Sequence, residues 1–424
     1  MIDQASLDAV DAAQLNSHFI HPLYDSYGFA QIPQTLRCLL TDDQRQGVPF
    51  GPRSDLYQKY DTVILFFIDA FGWRFFEQFS DHPFLRRMID EGLVSKLTSQ
   101  FPSTTAAHVT AIHTGLPVGQ SGVYEWYYYE PLVDALIAPL LYSFAGDSQR
   151  DTLQGTGVAP SALYPTHTLY QELKAAGVRS VVFQHLAYAF SPYTELVTNG
   201  ATIMPYRTLP EAVINLTQLL ARQDSRSYYF LYYDHIDTIC HLYGPDSPQA
   251  AAEITAFLDV MEHIFHANLV RHGQRTLFLM TADHGHAPID PATTVYLNHT
   301  LPPIQGWLKT NAAGQPLVPA GSCRDMFLHI KPEYLDDAHA ALQHHLAGKA
   351  EVQRVDALIA GNFFGATPPS PTFLGRVGNL VILPYTHESV WWYQKDRFEQ
   401  HHRGAHGGLT PDEMETLLLV QPYG

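Results

Sequence analysis

Cysteine is scarce in this chain: three among 424 residues, at Cys38, Cys240 and Cys323, too few and too scattered for a disulfide framework or a paired-cysteine zinc site. Basic residues are scarce too. Lys and Arg number 25 against 42 Asp and Glu, and the formal net charge of -17 argues against a nucleic-acid binder with a broad basic face. No apolar stretch approaches bilayer-spanning length, and the opening MIDQASLDAVDAAQ has neither the basic region nor the apolar run of a secretory signal. These absences lead to the expectation of a cytoplasmic protein with no membrane span and no stable nucleic-acid partner, its oligomeric state left open. A metal-containing pocket could still attract small anions locally.

What the chain does have is apolar material, 46% of its residues, enough to bury a large core. It falls in short runs: TVILFFI (62–68), RSVVFQ (179–184), YYFLYY (228–233) and TLFLMT (276–281). Such nearly continuous strands suit a parallel sheet covered on both faces. Between them, LPEAVINLTQLLARQ (209–223) and PQAAAEITAFLDVMEHIFHANLV (248–270) repeat apolar residues at helical spacing and read as covering helices. The fold class is therefore α/β, with a largely parallel central sheet and helices on both faces. After residue 286 the texture changes to Pro, Gly and Asn, followed by DMFLHIK, PEYLDDAHAALQHHLAG and AEVQRVDAL, a strand, helix and strand. The expected organisation is an extension packed on the core (1–60), a metal-binding core (61–286), an inserted α+β subdomain (287–376), and a return to the core (377–424). In that last part VGNLVILP (377–384) would rejoin the main sheet.

Chemistry gathers at the ends of three of these strands. Asp69 ends the first apolar run, and in open α/β sheets ligands gather beyond the carboxyl ends of strands. The third run leads into DHIDTICHLYGPD, where Asp237 and His241, four apart, share one face of a helical turn and can bind one ion. Asp234 and His235 read as loop residues bonded to backbone. The fourth run is followed by Asp283 and His284, with Gly285 easing a turn that aims both inward, and His286 is a weaker candidate. Finally His406 stands among Gly404, Gly407 and Gly408, where backbone can approach a ligand closely; His401 and His402 read as solvated surface. Together these make two sets of imidazole and carboxylate donors without thiolate, a mixture that suits Zn²⁺, with Mn²⁺ or Fe as competitors. The stretch FPSTTAAHVTAIHTG (101–115) offers Ser103, Thr104 and Thr105 as helix caps or as nucleophile.

In their order and spacing, IDAFGW, FPSTTAAHVTAIHTG, DTICHLYGPD, TADHGH and GAHGG resemble the alkaline phosphatase superfamily, and most closely its type I phosphodiesterase and nucleotide pyrophosphatase branch. The resemblance implies an alkaline-phosphatase-like sandwich and a site for two zinc ions. One would be held by Asp237, His241 and His406. The other would be held by Asp69, Asp283, His284 and the nucleophile. The nucleophile falls on Thr105, with Thr104 as the alternative, and attack would give a covalent phospho-threonine. Family members often carry Asn three residues beyond the nucleophile to bind a phosphate oxygen; this chain has His108, which can donate the same bond or simply pack in the helix. The implied partner is a small phosphate ester, with a nucleotide among the candidates, although the aromatic run GVYEWYYYEP (122–131) reads more readily as packing than as a base platform.

The rival on the same scaffold is a phosphomonoesterase or phosphonate hydrolase. It would want an added cation facing the phosphate, where a diester wants a pocket for its second substituent. Lys96 and Arg403 lie near the motifs without being tied to the site. A sulfatase is disfavoured by the absence of a Cys-x-Pro-x-Arg or Ser-x-Pro-x-Arg segment, and a phosphate mutase by the position of the clearest insertion. A metal-stabilised binding protein without turnover is the reading from another class.

Overall fold

A computed structural model describes residues 1–222, 225–272, 275–366 and 368–424. Its main sheet has seven strands in the spatial order 93–98, 415–423, 276–281, 62–68, 227–233, 179–185, 202–206. Strand Thr62–Ile68 lies centrally and runs parallel to Ser227–Tyr233 on one side and Thr276–Thr281 on the other. Every residue of these three strands is buried. Their side chains alternate between two cores. Val63, Leu65 and Phe67 face one, with helices Ile32–Leu40, Thr105–Thr114 and Leu169–Ala175; Ile64, Phe66 and Ile68 face the other, with Pro83–Glu91, Leu209–Leu220 and Pro248–Val260. Burial on both faces is why the strands read as unbroken apolar runs.

The four strands expected from the sequence are present to within a residue. Helix Leu209–Leu220 starts at a capping box formed by Thr208 and Glu211; its expected end at Gln223 lies outside the described residues. The expected helix 248–270 is continuous in direction but includes a π-helical turn at Met261–His266.

Strand Leu380–Pro384 requires a correction. It does not rejoin the main sheet but lies in the middle of a separate antiparallel sheet, between Met326–Leu328 and Ala350–Arg354. Leu380 and Ile382 sit with Met326, Leu328, Leu342 and Val352 in a third apolar cluster, under helix Leu335–His345. The element that does return is Glu415–Tyr423, which fills the gap between 93–98 and 276–281, antiparallel to both. The segment VDAL, expected as part of a strand, opens helix Val355–Ala360.

At the amino-terminal side, helix Gln4–Ala12 packs on strand Leu93–Thr98, with the Asp3 amide donating to the Val94 carbonyl at 2.8 Å. Phe29, Ile32 and Leu36 belong to the first core. Among the described residues no helix is long and apolar enough to cross a membrane.

Candidate active site

Parallel register brings the sequence motifs to one edge of the sheet. Ile68 is level with Tyr233 and Phe67 with Thr281, so the residues that follow, Asp69, the 234–243 segment and Asp283, leave the sheet side by side. His406 arrives from the far end of the chain. A short antiparallel pairing of Ala287 with Ala405 sets His286 and His406 next to one another.

Two donor groups result. In the first, Asp69, Asp283 and His284 are all buried. His284 Nε2 lies 3.5 Å from Asp69 Oδ1 and 3.2 Å from Asp283 Oδ2. Asp283 Oδ1 is held by the amides of Ala70 at 3.1 Å and His284 at 3.0 Å, and the Tyr232 hydroxyl donates to Asp69 Oδ2. Asp283 Oδ2 has no hydrogen-bond donor, an orphaned buried oxygen facing the group.

The second group is Asp237, His241, His286 and His406. Asp237 Oδ1 is 2.8 Å from His286 Nε2, 3.4 Å from His241 Nε2 and 3.6 Å from His406 Nε2. Helix His235–Tyr243 puts Asp237 and His241 on one face. The remaining nitrogens orient two of the rings: His241 Nδ1 contacts the Gly404 carbonyl at 2.8 Å, and His406 Nδ1 the Ser103 carbonyl at 3.1 Å. His284 and His406 stack across the two groups, 3.7 Å apart at 13°.

Thr105 lies against the first group and lines the same cavities as Asp237 of the second. It is the first residue of helix Thr105–Thr114, and its Oγ1 lies 3.4 Å from both oxygens of Asp69 and 3.3 Å from His284 Nε2. Thr104 occupies the cap position without using its side chain there.

The electrostatics are those of donors gathered without a counter-charge. Burial, reinforced by Asp283, raises the Asp69 carboxyl well above its ordinary value, and burial pushes Asp283 up to about 7. Burial also lowers His284, His286 and His406, keeping the imidazoles neutral and their lone pairs available. Asp237 goes the other way: burial opposes its ionisation, but the neighbouring His241, His286 and His406 favour the carboxylate and hold the carboxyl well down.

All seven residues singled out as metal ligands come together here. His286 joins them despite its lower weight in the sequence; its separation of two from His284 would have pointed both to one side of an extended exit. Asp234 is a correction, since its carboxylate accepts from the Tyr188 hydroxyl at 2.8 Å and not from backbone. His108 is a second. Its ring is fully buried, Nδ1 lies 2.7 Å from the Thr104 carbonyl, and Nε2 accepts from the Gln100 amide at 2.9 Å, so neither nitrogen is left for a phosphate.

Two cavities open beside Thr105. One, of about 240 Å³, is walled by Tyr188, Tyr193, Tyr232 and Leu140; the other, of about 310 Å³, by Tyr127, Trp391, Phe398 and His241. Trp126 borders both, whereas Tyr124 and Tyr128 of the same aromatic run are stacked in the core. Lys96 is turned away and pairs with Glu415 at 2.7 Å.

A family model for type I phosphodiesterase / nucleotide pyrophosphatase matches residues 63–409. The chain belongs to this family. It is thus a phosphoric ester hydrolase of the alkaline phosphatase superfamily, and the family is metal-dependent. No curated protein matches the sequence. Similar solved structures include murine ectonucleotide pyrophosphatase / phosphodiesterase 5, an inactive variant in complex with AMP, at 15% identity and TM-score 0.63, covering 85% of this chain and 87% of that one. Phosphonoacetate hydrolase from Sinorhizobium meliloti, in complex with phosphonoacetate, is similar at 18% identity and TM-score 0.60, with 84% and 89% covered. At these identities the likeness establishes the fold, an alkaline-phosphatase-like α/β architecture.

Proposed function

We propose that this hydrolase cleaves phosphodiester or pyrophosphate bonds, with Thr105 as nucleophile. The carrying observation is that the Thr105 hydroxyl lies within 3.4 Å of Asp69 and His284 at the start of a buried helix, beside the second donor group. First-turn amides without intrahelical partners lie at that same helix end and suit phosphate oxygens.

The donor sets fit two divalent ions: imidazoles, carboxylates with no Lys or Arg partner among the described residues, and the orphaned Asp283 Oδ2 come together here. Zinc suits this mixture best, with manganese or iron as substitutes. When bound, two such ions supply positive charge at the attacking and leaving oxygens of a displacement at phosphorus. Asp69, Asp283 and His284 would hold one, Asp237, His241 and His406 the other, with His286 as a further donor to the latter or as the group that orients Asp237.

The chain's own residues then act in two steps. Thr105 Oγ bonds to phosphorus as the bond to the leaving alcohol or phosphate breaks, giving a phospho-threonine. A water oxygen next bonds to phosphorus as the threonine–phosphate bond breaks, releasing the phosphate product and returning a proton to Thr105 Oγ. Asp69, close to Oγ1 and itself fixed by Tyr232, orients the hydroxyl for attack. A cavity on either side of Thr105 gives room for both substituents of a diester. The cations on the cavity walls are engaged elsewhere: Arg397 donates to the Ala145 carbonyl and lies over Phe398, and Arg150 donates to the Leu140 carbonyl.

The test is hydrolysis of matched aryl phosphate monoesters and diesters by the zinc-loaded protein, with Thr105→Ala alongside to exclude a contaminant. A diester preference lost in the variant is the expected result. A monoester preference would overturn the diester assignment and make the phosphomonoesterase the better reading.

A further inference from the structure

We propose a third cation site, for Mg²⁺ or Ca²⁺, formed by Glu125, Asp325, Thr104 and Ser322 around Gly407. It shares no residue with either donor group described above. Its occupancy can therefore be counted separately from theirs, although Thr104, Glu125 and Ser322 also line the second cavity.

Glu125 and Asp325 are both fully buried, and an oxygen of each approaches the same backbone position, Gly407. Neither forms a salt bridge among the described residues. The neighbouring Arg324 is committed to Glu413, at 2.9 and 2.8 Å. Burying two carboxylates together with no counter-charge is strongly unfavourable, so something must neutralise them.

The oxygens point to what that is. Glu125 Oε1 and Asp325 Oδ2 are buried without a hydrogen-bond partner. The Thr104 side chain lies beside Glu125, and the Ser322 hydroxyl lies 2.6 Å from Asp325 Oδ1. Three of these side chains converge over one backbone position. A Cβ on Gly407 would lie 2.6 Å from Ser322 Oγ, 2.8 Å from Asp325 Oδ1 and 3.1 Å from Glu125 Oε1. With φ at +124°, residue 407 also favours glycine, and the place is kept free of any side chain. A shared proton would join one pair of carboxylate oxygens. Two carboxylates and the Ser322 hydroxyl gathered over one glycine, with Thr104 beside Glu125, are instead the all-oxygen set that Mg²⁺ and Ca²⁺ take, unlike the imidazole-rich sets alongside.

The position gives the ion a role. Thr104 immediately precedes Thr105, and Gly407 immediately follows His406. Ser322 and Asp325 precede the first strand of the subdomain sheet, and Glu125 belongs to the aromatic segment between the two cavities. An ion here ties four separate segments together and sets the loops that carry Thr105 and His406. Ser103 already links two of them, its hydroxyl accepting from the Gly407 amide at 3.2 Å.

The experiment uses the full chain, zinc-saturated, and counts bound Ca²⁺ by equilibrium dialysis. Terbium luminescence sensitised by the nearby Tyr124 and Trp126 gives a second readout. One Ca²⁺ per chain beyond the zinc, a terbium signal displaced by Ca²⁺ but not by Zn²⁺, and loss of both in Glu125→Gln and Asp325→Asn are expected. No Ca²⁺ bound to the wild type overturns the proposal without recourse to any variant. Displacement of terbium by zinc would place the ion in the other donor groups, and a rise in melting temperature of either variant, with no calcium response in the wild type, would assign the pair to a shared proton. Zinc and calcium are counted separately, so failure here leaves the two-ion reading untouched.

Discussion

Nδ1 of His108 lies 2.7 Å from the carbonyl oxygen of Thr104, the residue directly before the proposed nucleophile. The other face of the same ring accepts from the Gln100 amide, so one buried imidazole pins both ends of the loop that presents Thr105. His108→Ala should leave the Gln100 amide without its acceptor and the Thr104 carbonyl with only the backbone amide of residue 108, and cost about 1–3 kcal/mol of stability. In a urea titration the midpoint falls, while the affinity for inorganic phosphate as a competitive inhibitor changes by less than about threefold, well under the loss of a direct charged contact. A large loss of phosphate affinity at preserved stability would return His108 to the substrate.

Thr105→Ala should lower turnover of an aryl diester by at least about a thousandfold, roughly 4 kcal/mol of barrier, with the zinc content kept. Thr105→Ser should retain a measurable part of the activity. Near-normal turnover in the alanine variant would move the nucleophile to Thr104.

His286→Ala removes the donor nearest Asp237, at 2.8 Å. Elemental analysis after dialysis should show loss of one ion and retention of the other, because Asp69, Asp283 and His284 are left whole. Full retention of both ions would limit His286 to packing.

Acid should weaken the metal-free fold through histidines that are buried neutral. Burial pushes His113 down to about 3, as it does His108 and His329. The unfolded chain takes up a proton on each below about pH 6.5, whereas the folded chain resists until about pH 3. Stability is therefore lost as pH falls across that window, by up to about 1.4 kcal/mol per pH unit for each histidine. Unfolding of His113→Gln in chelator, followed from pH 6.5 to 4, should show a shallower slope than wild type. Parallel slopes would mean that His113 is solvated.

Arg376 and Glu130 are another buried pair, 2.6 Å apart, with the guanidinium also donating to the Gly122 and Leu163 carbonyls. Arg376→Met leaves the carboxylate alone and should cost about 3–5 kcal/mol. Adding Glu130→Gln should recover part of the loss, and a neutral single variant would show that the pair carries no net stability.

How much of this the sequence discloses depends on how local the cause is. Strands such as 62–68 and 276–281 announce themselves because burial on both faces leaves no polar interruption, and Asp69 and Asp283 are legible as the residues that end them. Leu380–Pro384 carries the same apolar signal, yet nothing in five residues says which of two sheets they join; that is set by Met326 and Val352, tens of residues away. The closing strand Glu415–Tyr423 is not legible because its apolar run, Leu417–Val420, is short and is followed at once by Gln421 and Pro422. His108 misled for a related reason. Its partners belong to a loop that folds back on the helix, and chemistry at a spacing of three residues looked more telling than a brace.

The placement of the last strand has a consequence for synthesis. A ribosome delivers the chain from its amino end, so Asp69, Asp283 and His284 are all available once residue 284 has emerged, whereas the second donor group waits for His406. Among the described residues, strand 93–98 meets the rest of the main sheet through 415–423 alone; until those residues are made its pairings are isolated bridges, at Ile2–Val94 and Gly28–Thr98. A nascent chain stalled near residue 400 should therefore hold at most one ion of the pair, expose two unpaired strand edges, and depend on a chaperone to stay in solution.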